Sequence, residues 1–153
     1  MIIATGENFP DSLAISPYLA MFGIPMVLVE ANEIPDESLA YLNQLQPTQI
    51  TIVEREGVVS PMVEGKLRDM FPNASLRCYG GLNRYETAAK IAQALFGDSS
   101  PNLFVAKGTD FPDALAGSIF AGSTLSLLYW SSLIKFRRKL NRTIWIPCPT
   151  KRW

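Results

Sequence analysis

Carboxylates dominate the groups that could do chemistry in the first 122 positions of this chain, and histidine is absent from all 153. Glu7, Asp11, Asp110 and Asp113 stand just beyond two short apolar runs. That is the C-terminal edge where open α/β sheets place ligands. Oxygen ligands of this kind suit magnesium, so one reading is a metal-dependent hydrolase or phosphoryl-transfer enzyme. The missing histidine removes His-based triads and His-ligated zinc, and two cysteines cannot build a zinc cage. Neither metal nor cofactor is expected. Cys78 and Cys148 read as free thiols.

The carboxylates belong to a duplicated element. Ala4-Thr5-Gly6-Glu7-Asn8-Phe9-Pro10-Asp11-Ser12-Leu13-Ala14 recurs as Ala106-Lys107-Gly108-Thr109-Asp110-Phe111-Pro112-Asp113-Ala114-Leu115-Ala116, an offset of 102 with seven of eleven positions identical. A period this long fits whole tandem domains rather than a solenoid. Each polar residue of the element has a structural job. Gly6 and Gly108 end a strand and permit a turn at positive φ. Asn8 and Asp110 can cap the next helix, and Pro10 and Pro112 fit its first turn. Asp11 and Asp113, near the third helical position, can accept backbone N–H bonds. Duplicated carboxylates also need not converge on one site, so capping is preferred to catalysis and no catalytic residue is assigned.

A second element is Tyr79-Gly80-Gly81-Leu82-Asn83-Arg84-Tyr85-Glu86-Thr87. Asn83 and Glu86 have capping-box spacing. Gly80 and Gly81 place backbone N–H groups beside a helix N-terminus, which favours anions, and Arg84 adds a fork of donors. Arg84 equally suits an ion pair with Glu86 or with a neighbouring unit, and both readings stay open. The spacing is neither a P-loop nor a dinucleotide fingerprint. A third element, Gly23-Ile24-Pro25-Met26-Val27-Leu28-Val29, is a turn feeding a strand, which core packing explains.

The elements that position these motifs alternate. Apolar runs at Ile2–Ala4, Met26–Val29, Ile50–Val53, Leu76–Tyr79 and Leu103–Ala106 read as buried strands. Between them, Val63, Leu67, Met70 and Phe71 share one helical face, and Ala88, Ile91, Ala92, Leu95 and Phe96 another. Ser60-Pro61 and Pro35-Asp36 mark helix starts. The pattern predicts an α/β fold, a parallel sheet with flanking helices in a Rossmann-like or toprim-like arrangement. With a unit boundary near Arg77, residues 1–76 are the back of one repeat and 77–122 the front of the next, an out-of-phase fragment. A circularly permuted single domain could form, leaving one duplicated strand and helix over.

Charge is unevenly split. Residues 1–122 hold seven Lys and Arg against fourteen Asp and Glu, whereas 123–153 hold seven basic residues, no acidic one and all three tryptophans. An acidic body disfavours nucleic acid. The apolar run Ile119–Ile134 carries four serines and falls short of a membrane span, so a membrane partner is not expected. Met1 leads straight into a strand, which predicts no signal peptide in this chain.

In this order the three elements resemble the cell wall binding repeat 2 family of clostridial S-layer and cell wall proteins. The resemblance covers residues 2–122. It rests on Gly-x-x-Phe-Pro-Asp at 6–11 and 108–113, Pro25 to Val29, Val59-Ser60, and Gly81 to Ala88. It implies non-covalent attachment to an anionic polymer of the Gram-positive wall, at the cell surface. It also implies neighbouring repeats in a pseudo-threefold arrangement, beside an effector such as an N-acetylmuramoyl-L-alanine amidase. The family's polymer-binding segment maps onto Pro25, Met26, Val27 and Leu28, which join Arg84 and Asn83 as candidate site residues. Two departures stand out: Glu54-Arg55 replaces a usual Gly-Gly, and no Pro-aliphatic strand is legible after Gly122. Residues 123–153 therefore read as an atypical tail, frameshifted or foreign.

Overall fold

A computed structural model describes residues 1–53, 58–96, 102–108, 111–124 and 126–131. The order is β1 (Ile2–Thr5), α1 (Phe9–Phe22), β2 (Met26–Val29), α2 (Asp36–Leu45), β3 (Gln49–Val53), α3 (Pro61–Met70), β4 (Ser75–Tyr79), α4 (Arg84–Phe96), β5 (Leu103–Lys107), α5 (Pro112–Ser123) and β6 (Leu127–Ser131). Strands 1 to 4 form a parallel sheet ordered β2-β1-β3-β4, and β5 pairs with β6 in a separate parallel sheet.

Alternation along the strands sorts the core into two layers. Ile3, Val27, Val29, Ile50 and Ile52 meet Leu42 of α2 and Val63 and Leu67 of α3 on one side. On the other side Ile2 and Val53 meet Ala14, Ile15 and Leu19 of α1 and Ala88 and Ile91 of α4. That second layer continues into Ala106, Ala114, Leu128 and Trp130, so it joins the two copies of the repeated element. Each large aliphatic side chain so buried contributes roughly 1.5–3 kcal/mol. Helix α1 is apolar on most of its circumference because it is covered by the sheet and by α5, whose Gly122 lets the helices approach. A Cβ at Gly122 would stand 3.2 Å from that of Ala20.

The duplication holds in three dimensions. Ile2 pairs with Met26 and Ala4 with Leu28, and at the same offset Phe104 pairs with Leu128 and Ala106 with Trp130. Both copies run strand, then helix, then parallel strand. Strand β6 corrects the expectation that the family pattern stops at Gly122. Leu128 to Ser131 take the place of Met26 to Val29, and Leu127 stands where the leading proline would. The run Ile119–Ile134 is not one helix either, since α5 ends at Ser123. Among the described residues no helix is long and apolar enough to cross a membrane.

Candidate functional site

The helix starts work differently from expectation. Asn8 occupies the N-cap of α1 but its side chain makes no capping bond, and α5 is preceded by Phe111 in helical conformation. Pro10 and Pro112 lie in the first turns as expected. Gly6 does not need positive φ; among the described glycines only Gly23 has it, at 61°, where it ends α1 and donates to the Leu19 carbonyl. Gly6 sits close to Leu28 and donates its N–H to Val29 O at 2.9 Å, tying β1 to the end of β2. Gly108 sits tightly against Tyr85, since a Cβ there would lie 2.5 Å from the ring unless the ring moved. Asp110 and the departure at Glu54-Arg55 lie outside the described residues.

Equivalent carboxylates have unequal surroundings. Asp11 is buried where the second copy packs over α1, whereas Asp113 is exposed. Glu7 is exposed and accepts from the Ala31 N–H. Among the described residues no three acidic or cysteine groups cluster as a metal site would need. Phe9 and Phe111 meet edge to face, ring centres 5.2 Å apart, so the duplicated motif forms a contact between copies.

The Gly-Gly-x-Asn-Arg element fills its own anion nest. The Gly81 N–H donates to Thr87 Oγ1 at 3.1 Å, and the Leu82 N–H donates to the Glu86 carboxylate at 3.0 Å. Asn83 Oδ1 accepts from the N–H groups of Tyr85 and Glu86, so the Asn83 half of the capping box forms, while the Glu86 carboxylate reaches one residue further back, to Leu82. Lys90 donates to Gly80 O at 2.7 Å and pairs with Glu86 at 3.2 Å. The anion at this helix N-terminus is therefore the chain's own Glu86. Arg84 does not pair with Glu86; its guanidinium donates to the carbonyl of Gly108 in the second repeated element.

The Leu82 N–H, then Lys90, hold the Glu86 carboxyl below its ordinary value. A depressed carboxylate contributes stability that is complete above its unfolded pKa and is lost as pH falls through the folded one. Glu86→Gln should therefore destabilise the chain near neutrality and converge with the parent in acid. Thermal melts from pH 7 to pH 3 measure this; curves that stay parallel throughout would refute it. Cys78 is a free thiol, exposed, and its pKa is raised by partial burial and by Glu64; Cys148 lies outside the described residues.

The sequence-predicted polymer residues do not converge. Pro25 precedes β2 at one edge of the sheet, while Asn83 and Arg84 follow β4 at the other edge and at the opposite end of the strands. Val27 is buried in the core, whereas Leu28 is 49 % exposed. Its counterpart Trp130 is 1 % exposed, covered by α1, with Nε1 donating to Pro10 O at 3.0 Å. Sequence reading missed Trp130 because it lay in a segment that looked foreign.

The comparisons agree with this geometry. The description of Cell wall binding domain 2 (CWB2) matches twice, over residues 1–64 and 79–142, the second match running past Gly122. The "Amidase enhancer" of Bacillus subtilis is 32% identical over 120 residues, 78% of this chain and 16% of that protein. The "N-acetylmuramoyl-L-alanine amidase LytC" of the same organism is 29% identical over 120 residues, 78% of this chain and 23% of its own length. Among solved structures, "Cwp6 from Clostridium difficile" superposes with a TM-score of 0.75 at 25% identity, covering 85% of this chain and 20% of that one. The chain thus spans less than a quarter of each of these proteins. Two matches to the family, a duplicated strand register and a shared fold lead to one assignment: this chain belongs to the cell wall binding domain 2 family.

Proposed function

We propose that this chain holds a surface protein on an anionic polymer of the Gram-positive cell wall, without covalent bonds and without catalysis of its own. On this reading residues 1–76 are the C-terminal part of one repeat and a second begins at 77. The part from 123 is atypical in charge, and an effector domain, an amidase in one case, lies elsewhere in the parent protein. The family assignment carries the reading.

Assembly with a third repeat is supported by a pair of complementary open faces. The second copy covers α1 with α5 and Trp130. The matching face of α5 is open: Phe111, Leu115, Ile119 and Phe120 are exposed, where their equivalents Phe9, Leu13, Pro17 and Tyr18 are more covered in α1. At the other end Leu28 is open where Trp130 is covered. Each open face is one half of the interface already formed between the two copies. A heterologous contact repeated in this way closes into a ring when its rotation permits. Leu28 is accordingly an inter-repeat contact, and Asn83 and Arg84 brace the second unit.

Co-sedimentation of the full chain with Gram-positive walls tests the function. Binding to intact walls, lost when anionic polymers are stripped and weakened by high salt, is the expected result. Equal retention on stripped walls would transfer the site to peptidoglycan, and failure on both would overturn the reading.

A further inference from the structure

A parallel sheet covered on both faces is normally apolar along its strands. One face of β3 and β4 breaks that rule. Register pairs Gln49 with Ser75 and Thr51 with Arg77, giving a block of four polar side chains on the face that carries Ile2 and Val53 further along. The opposite face of the same strands is Ile50, Ile52 and Leu76, which pack in the core. The polar block is not required by packing, and it is the wrong chemistry for an apolar helix to cover.

These residues line a cleft of about 290 Å³ between the sheet and the C-terminal ends of α1 and α4. Tyr18 of α1 and Tyr79 of β4 contribute to its walls, and Arg77 is the one charged side chain among its lining residues. The guanidinium makes no ion pair with a described residue. By contrast, Arg68 and Lys90 pair with carboxylates, and Arg84 is committed to Gly108. A body with twice as many acidic as basic residues repels anions at long range, so an anionic ligand must be held by a locally placed cation.

We propose that this cleft binds one anionic sugar or polyol unit of the wall polymer. Arg77 receives its carboxylate or phosphate, Thr51, Ser75 and Gln49 bond its hydroxyls, and the tyrosine rings cover its apolar face. A planar fork of donors suits either anion, the volume lies near the small end of ligand pockets, roughly 300–1,000 Å³, and tyrosine offers an apolar body with a polar tip. The assignment rests on the wall-binding reading and gives it a site.

The test is titration of the full chain with glucuronate, glycerol 3-phosphate and neutral glucose, followed by backbone amide NMR. One or both anions should shift Thr51, Arg77 and Tyr79, and which of the two does so distinguishes carboxylate from phosphate polymers. Arg77→Gln should weaken that binding about tenfold or more, with Arg77→Lys intermediate and the spectra otherwise native. Glucose shifting these amides as strongly as the anions, or no probe shifting them at millimolar concentration, would overturn the assignment. Wall sedimentation separates the two levels. Parent and Arg77→Gln chains pelleting equally would sink the cleft alone, whereas a parent chain that never pellets would sink wall binding itself.

Discussion

Trp130→Ala is expected to lower stability by about 3–5 kcal/mol, the usual loss for truncating a buried large aromatic. The indole is 1 % exposed and joins the layer that holds the two copies together, with Ile15 and Leu19 of α1 and Ile91 of α4 in the same cluster. Its removal leaves a cavity between the copies and frees the Pro10 carbonyl that accepts from Nε1. Trp130→Phe keeps most of the packing and loses the hydrogen bond, so about 1–3 kcal/mol is expected there. Urea unfolding measures both. Hydrogen exchange should show α5 and β6 losing protection before the β2-β1-β3-β4 sheet does. An alanine variant within about 1 kcal/mol of the parent, below the range for such truncations, would mean that α1 does not cover β6 as described.

Gly81→Ala is expected to follow at about 2–4 kcal/mol, combining overpacking with a weakened hydrogen bond. A Cβ on Gly81 would stand 2.6 Å from Glu86 Cβ and 2.7 Å from the Thr87 backbone nitrogen. Backbone cannot yield as a side-chain tip can, so helix α4 must shift or the loop must open. Opening also breaks the bond from the Gly81 N–H to the buried Thr87 hydroxyl. Gly108→Ala is the informative comparison. The atoms nearest its Cβ are the outer ring atoms of Tyr85, which can rotate away, so a smaller loss is expected. Thermal melts of the two variants check the order; a Gly108→Ala loss exceeding that of Gly81→Ala would contradict this account of the loop.

Local sequence spacing was enough to place the elements and to equate the two copies. Ile2–Ala4 and Leu103–Ala106 fall in β1 and β5, and Ala88 and Ile91 turn inward from α4. The Asn83–Glu86 cap forms because it depends only on neighbours within one helical turn. Asn8 was misjudged although it has the same residue type and an N-cap position, because side-chain geometry there is not set by spacing. Strand β6 was illegible because it lacks the leading proline and lies in a segment whose basic, Trp-rich remainder looked foreign, while pairing to β5 is a long-range event.

Tertiary structure alone decided which copy is covered. Leu28 and Trp130 occupy one register position, and Asp11 and Asp113 one motif position, yet one of each pair is buried and the other open. Equivalent positions in a repeat do not by themselves encode that difference; the second unit packs on the first and nothing described packs on the second. The cleft has the same origin. Gln49, Thr51, Ser75 and Arg77 sit in two segments separated by a helix, and only the β3–β4 register makes them one surface. Side-chain alternation fixed which residues share a face, and strand pairing fixed which faces meet.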